Sequence, residues 1–453
     1  MKLLVKFRKT VMTVLKALIV ISMTLGFMNM WYNYYGQTIY SMRGNYVVLF
    51  SYLLLFLLFA ELYGGFRIGV YRLHEIIYSL SLSAFITNVF IYLEFSLISR
   101  GLVNVRYFIF SFLYQIFVIF IGSYCANTVY FKLYPARKML AIFANDEEGI
   151  KVIRKMSKIP RRFNIERGVS VNLASVEEIK ELIDKYEAVV LCDFDKQKKN
   201  ELLHYCYANS KRTYVLPSST DVIVKNSDNI QISDTPILMC RNQGIRLEQE
   251  MVKRVMDLVV SIIGIVVTSP IMLITAVAIK ICDGGPVFFK QNRVTKNRKI
   301  FNVLKFRSMV VDAEKNGAQK AVDGDSRITP VGKVIRACRI DELPQLFKIL
   351  FGDMSLVGPR PERIENVYEY VSMYPDFNLR HRVKAGLTGY AQIYGKYNTT
   401  PEDKLKMDLI YIEQYSVFMD IKLLFMTLKI LFMKESTEGF KPESKKENTK
   451  KEN

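Results

Sequence analysis

Four long apolar runs open the chain, at about 11–30, 46–63, 76–98 and 107–131. Each approaches the ~20 residues that a helix needs to cross the hydrocarbon core of a bilayer, so four transmembrane helices are expected. Lys2, Lys6, Arg8 and Lys9 precede the first run, Arg67 and Arg72 separate the second from the third, and Lys132, Arg137 and Lys138 follow the fourth. That distribution puts both ends of the four on the cytoplasmic side. Lys16 and Glu94 fall inside these runs, where a charge either marks a transport path or, for a lone lysine, snorkels to the interface.

From Lys138 to about Asn242 the period shortens. KMLAIFAND, VSVNLA, EAVVLCDF and RTYVLPS read as strands, alternating with the helical patterns IKVIRKMSK, VEEIKELIDKY and KKNELLHYCYAN. Such alternation predicts a small parallel α/β domain of Rossmann-like type. At the position of a dinucleotide fingerprint the chain reads FANDEEG with only Gly149 present, so no nucleotide cofactor is expected there. Regulation or self-association is the expected task of this domain, and a homodimer the expected assembly.

A fifth apolar run, from Val255 to Ile281, is interrupted by Ser269 and Pro270, and seven basic residues lie between Lys290 and Arg307. A spanning helix would carry that basic stretch across the membrane, against the charge rule. A re-entrant helix that breaks at Ser269-Pro270 and returns to its own side is expected instead. Downstream, PVFFKQNRV and KIFNVLKFRSM predict a hairpin, 312–325 with Gly317 and Gly324 a polar loop, and PERIENVYEYVSMY a helix. LKMDLIYIEQYSVFMDIKLLFMTLKILF predicts an amphipathic helix against lipid, with Asp408 and Asp420 as supporting acids, and 435–453 a disordered tail.

Composition agrees with a membrane protein: 453 residues, 50% hydrophobic, mean hydropathy +0.13. The formal charge of +20 suits an anionic membrane surface or nucleotide diphosphates, and the apolar N-terminal region argues against nucleic acid. Six cysteines without a CxxC and three isolated histidines predict neither a zinc site nor a disulfide framework.

The candidate chemistry lies between Lys299 and Pro361. Asp341 and Glu342 are adjacent, Pro344 follows, and an apolar run ends at Gly352, which predicts that the pair opens a short helix, an end that attracts anions. Lys305, Arg307, Arg336, Arg339 and Arg360 surround it in sequence, a set suited to phosphate oxygens. Two acids within a basic ring point to phosphoryl transfer; an N-cap with solvated partners is the plainer alternative.

The wording of these motifs narrows the choice. KFRSM, RIDELPQLFKILFGDMSLVGPRP and RHRVKAGLTGYAQIYGK resemble the bacterial sugar transferases, the polyprenol-phosphate hexose-1-phosphate transferases or monotopic phosphoglycosyl transferases, over about Met251 to Phe432. The resemblance implies Asp341 as nucleophile, Glu342 assisting with Mg2+, and Lys305, Arg336 and Arg360 binding phosphate. It also implies a UDP-sugar donor and undecaprenyl phosphate as acceptor, at the cytoplasmic face of a bacterial inner membrane among its lipids. Tyr390, Tyr394 and Lys396 depart from the family's common Trp, Asn and Arg, which leaves the sugar open; Tyr390, Tyr394 and Tyr397 are expected either to stack on a base or sugar or to pack at the membrane interface. The expected architecture is a membrane protein of mixed class: a four-helix transmembrane bundle (1–135), a Rossmann-like α/β domain (136–245), an α-rich monotopic catalytic domain with a re-entrant helix (246–434), and a tail. A non-enzymatic scaffold of polysaccharide assembly is the alternative, and the intact KFRSM, DE and GPRP motifs argue against it. A transporter would need polar residues facing one another across the spans, for which Lys16 and Glu94 are the candidates.

Overall fold

The computed structural model describes residues 7–35, 42–240, 244–313, 325–396 and 399–431. Lys2, Lys6, Gly317, Gly324, Tyr397 and the expected tail lie outside the described residues. The chain divides into two compact units, Met1–Pro217 and Ser218–Asn453.

The first unit begins with α1 (Arg8–Tyr34), α2 (Met42–Leu62), α3 (Leu73–Ile98) and α4 (Arg106–Leu133), close to the expected spans. All four are long and apolar enough to cross a membrane. Met23, Phe56, Leu80 and Ile119, one from each helix, meet in a single buried cluster, while Val14, Leu54, Phe90 and Phe117 face outward, exposed. Helices apolar on every side suit a lipid surround. Some of their interior polar contacts join neutral side chains, which charge patterning does not reveal. Asn88 Nδ2 of α3 donates to Gln115 Oε1 of α4 at 2.7 Å, a form of interhelical glue, and within α4 Gln115 Nε2 donates to Ser111 Oγ at 3.2 Å. Glu94 accepts from Ser51 Oγ at 3.3 Å.

The unit continues as β1 (Arg137–Phe143), α5 (Asp146–Ser157), β2 (Phe163–Ser170), α6 (Val176–Asp184), β3 (Ala188–Leu191), α7 (Lys196–Ala208) and β4 (Arg212–Val215). The sheet is parallel in the order β2-β1-β3-β4. Alternate residues feed two faces, Leu140, Ile142, Val189 and Leu191 toward α6 and α7, and Met139, Ala141, Phe143 and Val190 toward α5. Strand β2 lies upstream of the expected VSVNLA, because its outward Glu166 and Arg167 hide the period of an edge strand. A Cβ on Gly149 would stand 2.3 Å from the Phe143 ring, so this glycine serves close packing of helix on strand. Asp146, Glu147 and Glu148 fill the first turn of α5, where they oppose a phosphate.

The second unit opens with α8 (Ser219–Lys225) and the antiparallel hairpin β5 (Asp228–Ile232) and β6 (Thr235–Met239). The expected boundary at 245 groups these residues with the α/β domain, yet Val222 packs against Tyr370, Phe377, Leu405 and Leu409 of the second unit. Then come α9 (Leu247–Asp283), the hairpin β7 (Phe288–Val294) and β8 (Ile300–Phe306), α10 (Pro330–Ala337), α11 (Gln345–Leu350), β9 (Ser355–Val357) and α12 (Ile364–Met373). After a 3-10 segment (Pro375–Arg382) follow β10 (Gly386–Thr388), α13 (Tyr390–Tyr394), α14 (Pro401–Glu413) and α15 (Val417–Leu431). The last two replace the single lipid-facing helix expected from the sequence. Leu405, Leu409, Tyr411, Ile412, Leu423 and Met426 are buried in the protein's own core, while Phe418, Ile421 and Leu428 of α15 remain exposed.

Helix α9 runs through Pro270 without stopping. Proline has no N–H for the carbonyl four residues back, here Val266, and Ser269 Oγ donates to that carbonyl at 2.8 Å. The expected break is therefore a proline within a continuous helix, its missing bond replaced by the preceding hydroxyl. Both flanks of α9 dock on the same unit. Lys253 Nζ lies 2.6 Å from Asp420 Oδ2, Asp257 Oδ1 accepts from the Leu356 N–H at 2.9 Å, and Arg254 donates to the carbonyls of Ile349 and Leu350, each at 2.7 Å. Beyond the proline, Met272 and Ile279 pack with Phe306 and Ile335, and Asp283 pairs with Arg307. Between Ser261 and Met272 no residue of α9 is buried.

Candidate active site

Strand β8 delivers Lys305, with Phe301, Val303 and Phe306 buried to hold the hairpin down. Helix α10 starts at a Thr329 cap, whose Oγ1 accepts from the Gly332 N–H at 2.9 Å. Gly332 is obligatory there, since a Cβ would stand 2.0 Å from the Ser308 carbonyl oxygen. At the other end of α10, Arg339 takes φ +54°, a left-handed conformation that turns the chain. Ile340–Glu342 then form a 3-10 turn before Pro344 leads into α11. The acidic pair thus precedes the α-helix rather than opening it. Buried Leu346 and Ile349 anchor α11 in the core.

These elements bring Lys305, Asp341, Glu342, Arg336 and Arg360 together. Lys305 Nζ lies 2.7 Å from Glu342 Oε1, and Arg360 Nη2 lies 3.8 Å from the same oxygen. The two carboxyls differ sharply. Burial pushes the Asp341 carboxyl up, and the charge of Glu342 adds to this, with Lys305 and Arg336 only partly offsetting it. Burial would also raise Glu342, but Lys305, Arg360 and Arg339 overcome it and hold the carboxyl down to about 2. One acid is a fixed anion; the other is a carboxylate made more basic.

Other expected residues lie elsewhere. Arg307 turns from the ring to Asp283, and a Cβ on Gly285 would collide with its Nη1 at 2.0 Å. Asp420 is buried against Lys253 and accepts from Tyr411 OH at 2.8 Å. Asp408 is bound by Arg380, a residue within the RHRVKAGLTG motif that the sequence reading treats only as part of a basic loop. Tyr390 and Tyr394, expected to stack on a base or lie at the interface, contact each other at 4.6 Å between ring centroids and pack against the core. Ser269 and Pro270 sit exposed on α9.

For magnesium, the described residues offer no group of three or more His, Cys, Asp or Glu. Asp341 and Glu342 do fit the usual mode, one or two carboxylates completed by substrate phosphates and water. Glu342, whose carboxyl is held down to about 2, would be the one to hold it.

A family model described as bacterial sugar transferase matches residues 248–434. The UDP-N-acetylgalactosamine-undecaprenyl-phosphate N-acetylgalactosaminephosphotransferase of Aeromonas hydrophila is 47% identical over 176 residues, 38% of this chain and 42% of that protein. The UDP-glucose:undecaprenyl-phosphate glucose-1-phosphate transferase of Klebsiella pneumoniae is 38% identical over 199 residues, 43% of each chain. An uncharacterized sugar transferase of Bacillus subtilis, EpsL, is 40% identical over 173 residues, 38% of this chain and 83% of its own length. The match thus spans less than half the length of the Aeromonas and Klebsiella relatives.

Proposed function

The chain belongs to the bacterial sugar transferase family, and from that premise we propose that it transfers a sugar 1-phosphate from a UDP-sugar to undecaprenyl phosphate, releasing UMP. The observation that carries this reading is the pairing of a half-buried Asp341, its carboxyl pushed up, with a Glu342 neutralised by Lys305 and Arg360. A carboxylate oxygen of Asp341 attacks the sugar-bearing phosphorus. The bond from that phosphorus to UMP breaks, and an acyl phosphate forms on Asp341. An oxygen of the lipid phosphate then attacks the same phosphorus, freeing the Asp341 carboxylate and leaving the sugar on a lipid diphosphate. Lys305, Arg336 and Arg360 hold the phosphate oxygens and offset their charge. Magnesium held by Glu342 would supply further neutralisation of the diphosphate. Incubating membranes that hold the protein with UDP-glucose, UDP-galactose and UDP-N-acetylgalactosamine, undecaprenyl phosphate and magnesium should release UMP from at least one donor. No UMP from any of them would defeat the reading.

The same proposal makes α9 re-entrant, in a chain that also carries a four-helix bundle (1–135) and an α/β domain that supports a homodimer, with the catalytic domain (246–434) on the cytoplasmic face of the bacterial inner membrane. Both flanks of α9 dock on one unit, and its middle packs inward on one side only, at Gly264 and Ile265, while Ile263, Val266, Val267 and Ile271 are exposed, as in a helix dipping into one leaflet. Single cysteines placed before Lys253 and after Lys290 are expected to resist an external reagent in intact cells. Pro270→Ala restores a backbone donor and removes the ring clash, so a fraction of molecules should expose the downstream position. External labelling of that position in the unaltered protein would count against re-entry.

A further inference from the structure

The loop that carries Arg360 is held from behind by groups that the proposed chemistry does not use. Three consecutive carbonyls are each claimed: that of Arg360 accepts from Arg380 Nη2 at 2.9 Å, that of Pro361 from Arg293 Nη1 at 3.1 Å, and that of Glu362 from the Val294 N–H at 3.2 Å. Arg380 is 2% exposed, too deep to meet a substrate. Its guanidinium is fixed by Asp408, whose Oδ2 accepts from Nε at 2.9 Å and lies 2.8 Å from Nη2. Glu362 Oε1, 3.9 Å from Arg380 Nη1 and 3.6 Å from Lys404 Nζ, completes the cluster. A buried ion pair adds little stability over apolar residues of similar volume. What Arg380 adds here is a donor of fixed direction, aimed at one carbonyl. The guanidinium of the residue bearing that carbonyl is the one that reaches Glu342.

We propose that Arg380, oriented by Asp408, is the positioning residue that sets Arg360 at the phosphate site; the kinetic part of its test rests on the transfer reading, the structural part does not. The paired replacement Arg380→Met with Asp408→Leu removes both charges together and keeps volume, so the full chain in nanodiscs should retain its melting temperature. Hydrogen exchange at the Arg360 and Glu362 amides should nonetheless quicken by about tenfold. With whichever of UDP-glucose, UDP-galactose or UDP-N-acetylgalactosamine turns over, Arg380→Lys should raise the donor KM about tenfold with kcat changed less than about threefold. On an Arg360→Gln background the same change should add less than about twofold, since the two residues act as one unit. Unchanged exchange, or effects of Arg380→Lys and Arg360→Gln that simply multiply, overturns the proposal. Were the wild-type chain to turn over none of the donors, the transfer reading would have failed, and the exchange result alone would decide the role of Arg380.

Discussion

Asp341→Asn is expected to reduce turnover by on the order of 10⁴-fold or more while leaving UDP-sugar binding nearly intact, because it removes the attacking oxygen and spares Glu342, Lys305 and Arg360. Wild-type chain mixed with magnesium and donor labelled in the sugar phosphate, without lipid, should carry label after a rapid quench. The label should map to the Asp341 segment, be absent in Asp341→Asn, and discharge on adding undecaprenyl phosphate. Appreciable turnover by the variant, with an unlabelled wild type, would mean direct attack by the lipid phosphate. The same substitution carries a stability signature. A carboxyl whose folded pKa lies above its unfolded value loses stability as it ionises, so Asp341 costs stability at neutral pH. Asp341→Asn should therefore melt higher than wild type at pH 7, and the gap should close as pH falls through the raised pKa.

Glu342→Gln is expected to have the opposite sign. Its carboxyl is held at about 2 against a usual 4.5, so it contributes up to about 3 kcal/mol at neutral pH, present above its unfolded pKa and lost as pH falls through the folded one. Removing it should lower the melting temperature at pH 7. It should also slow transfer by about 10²-fold, a loss in the range of an electrostatic stabiliser rather than a nucleophile. The pH profile separates the two acids. Glu342 stays ionised throughout the working range, so the acid limb belongs to Asp341, and activity falls as pH drops through its raised pKa. Glu342→Gln deletes a like charge that helps raise Asp341, which should move that limb to lower pH. A limb that stays in place, or moves upward, would argue that the carboxyls are not coupled in this way. Neighbours in sequence thus differ in what surrounds them: one carboxyl is pushed up by burial and a like charge, the other is held down by Lys305 and Arg360.

By itself, the sequence determined whatever depends on neighbouring residues alone. The four apolar helices, the α/β alternation, the β7–β8 hairpin and helix α12 follow from periods of 3.6 and 2, because each such element buries one face or faces lipid all round. KFRSM, DE and GPRP were legible as a basic and acidic set. Only the tertiary structure decided which cation meets which anion. Lys305 and Arg307 are two residues apart, yet Lys305 reaches Glu342 while Arg307 turns to Asp283. The separation into a raised Asp341 and a lowered Glu342 likewise depends on burial and on Arg360, brought in from a distant loop. Apolar stripes say that a face is hidden without saying by what: those of α14 fill the core, whereas α15 buries Leu423 and Met426 and leaves Phe418, Ile421 and Leu428 exposed. Arg380 escaped notice for the same reason: a buried arginine looks like any other until the fold places a carboxylate on one side of it and a carbonyl on the other.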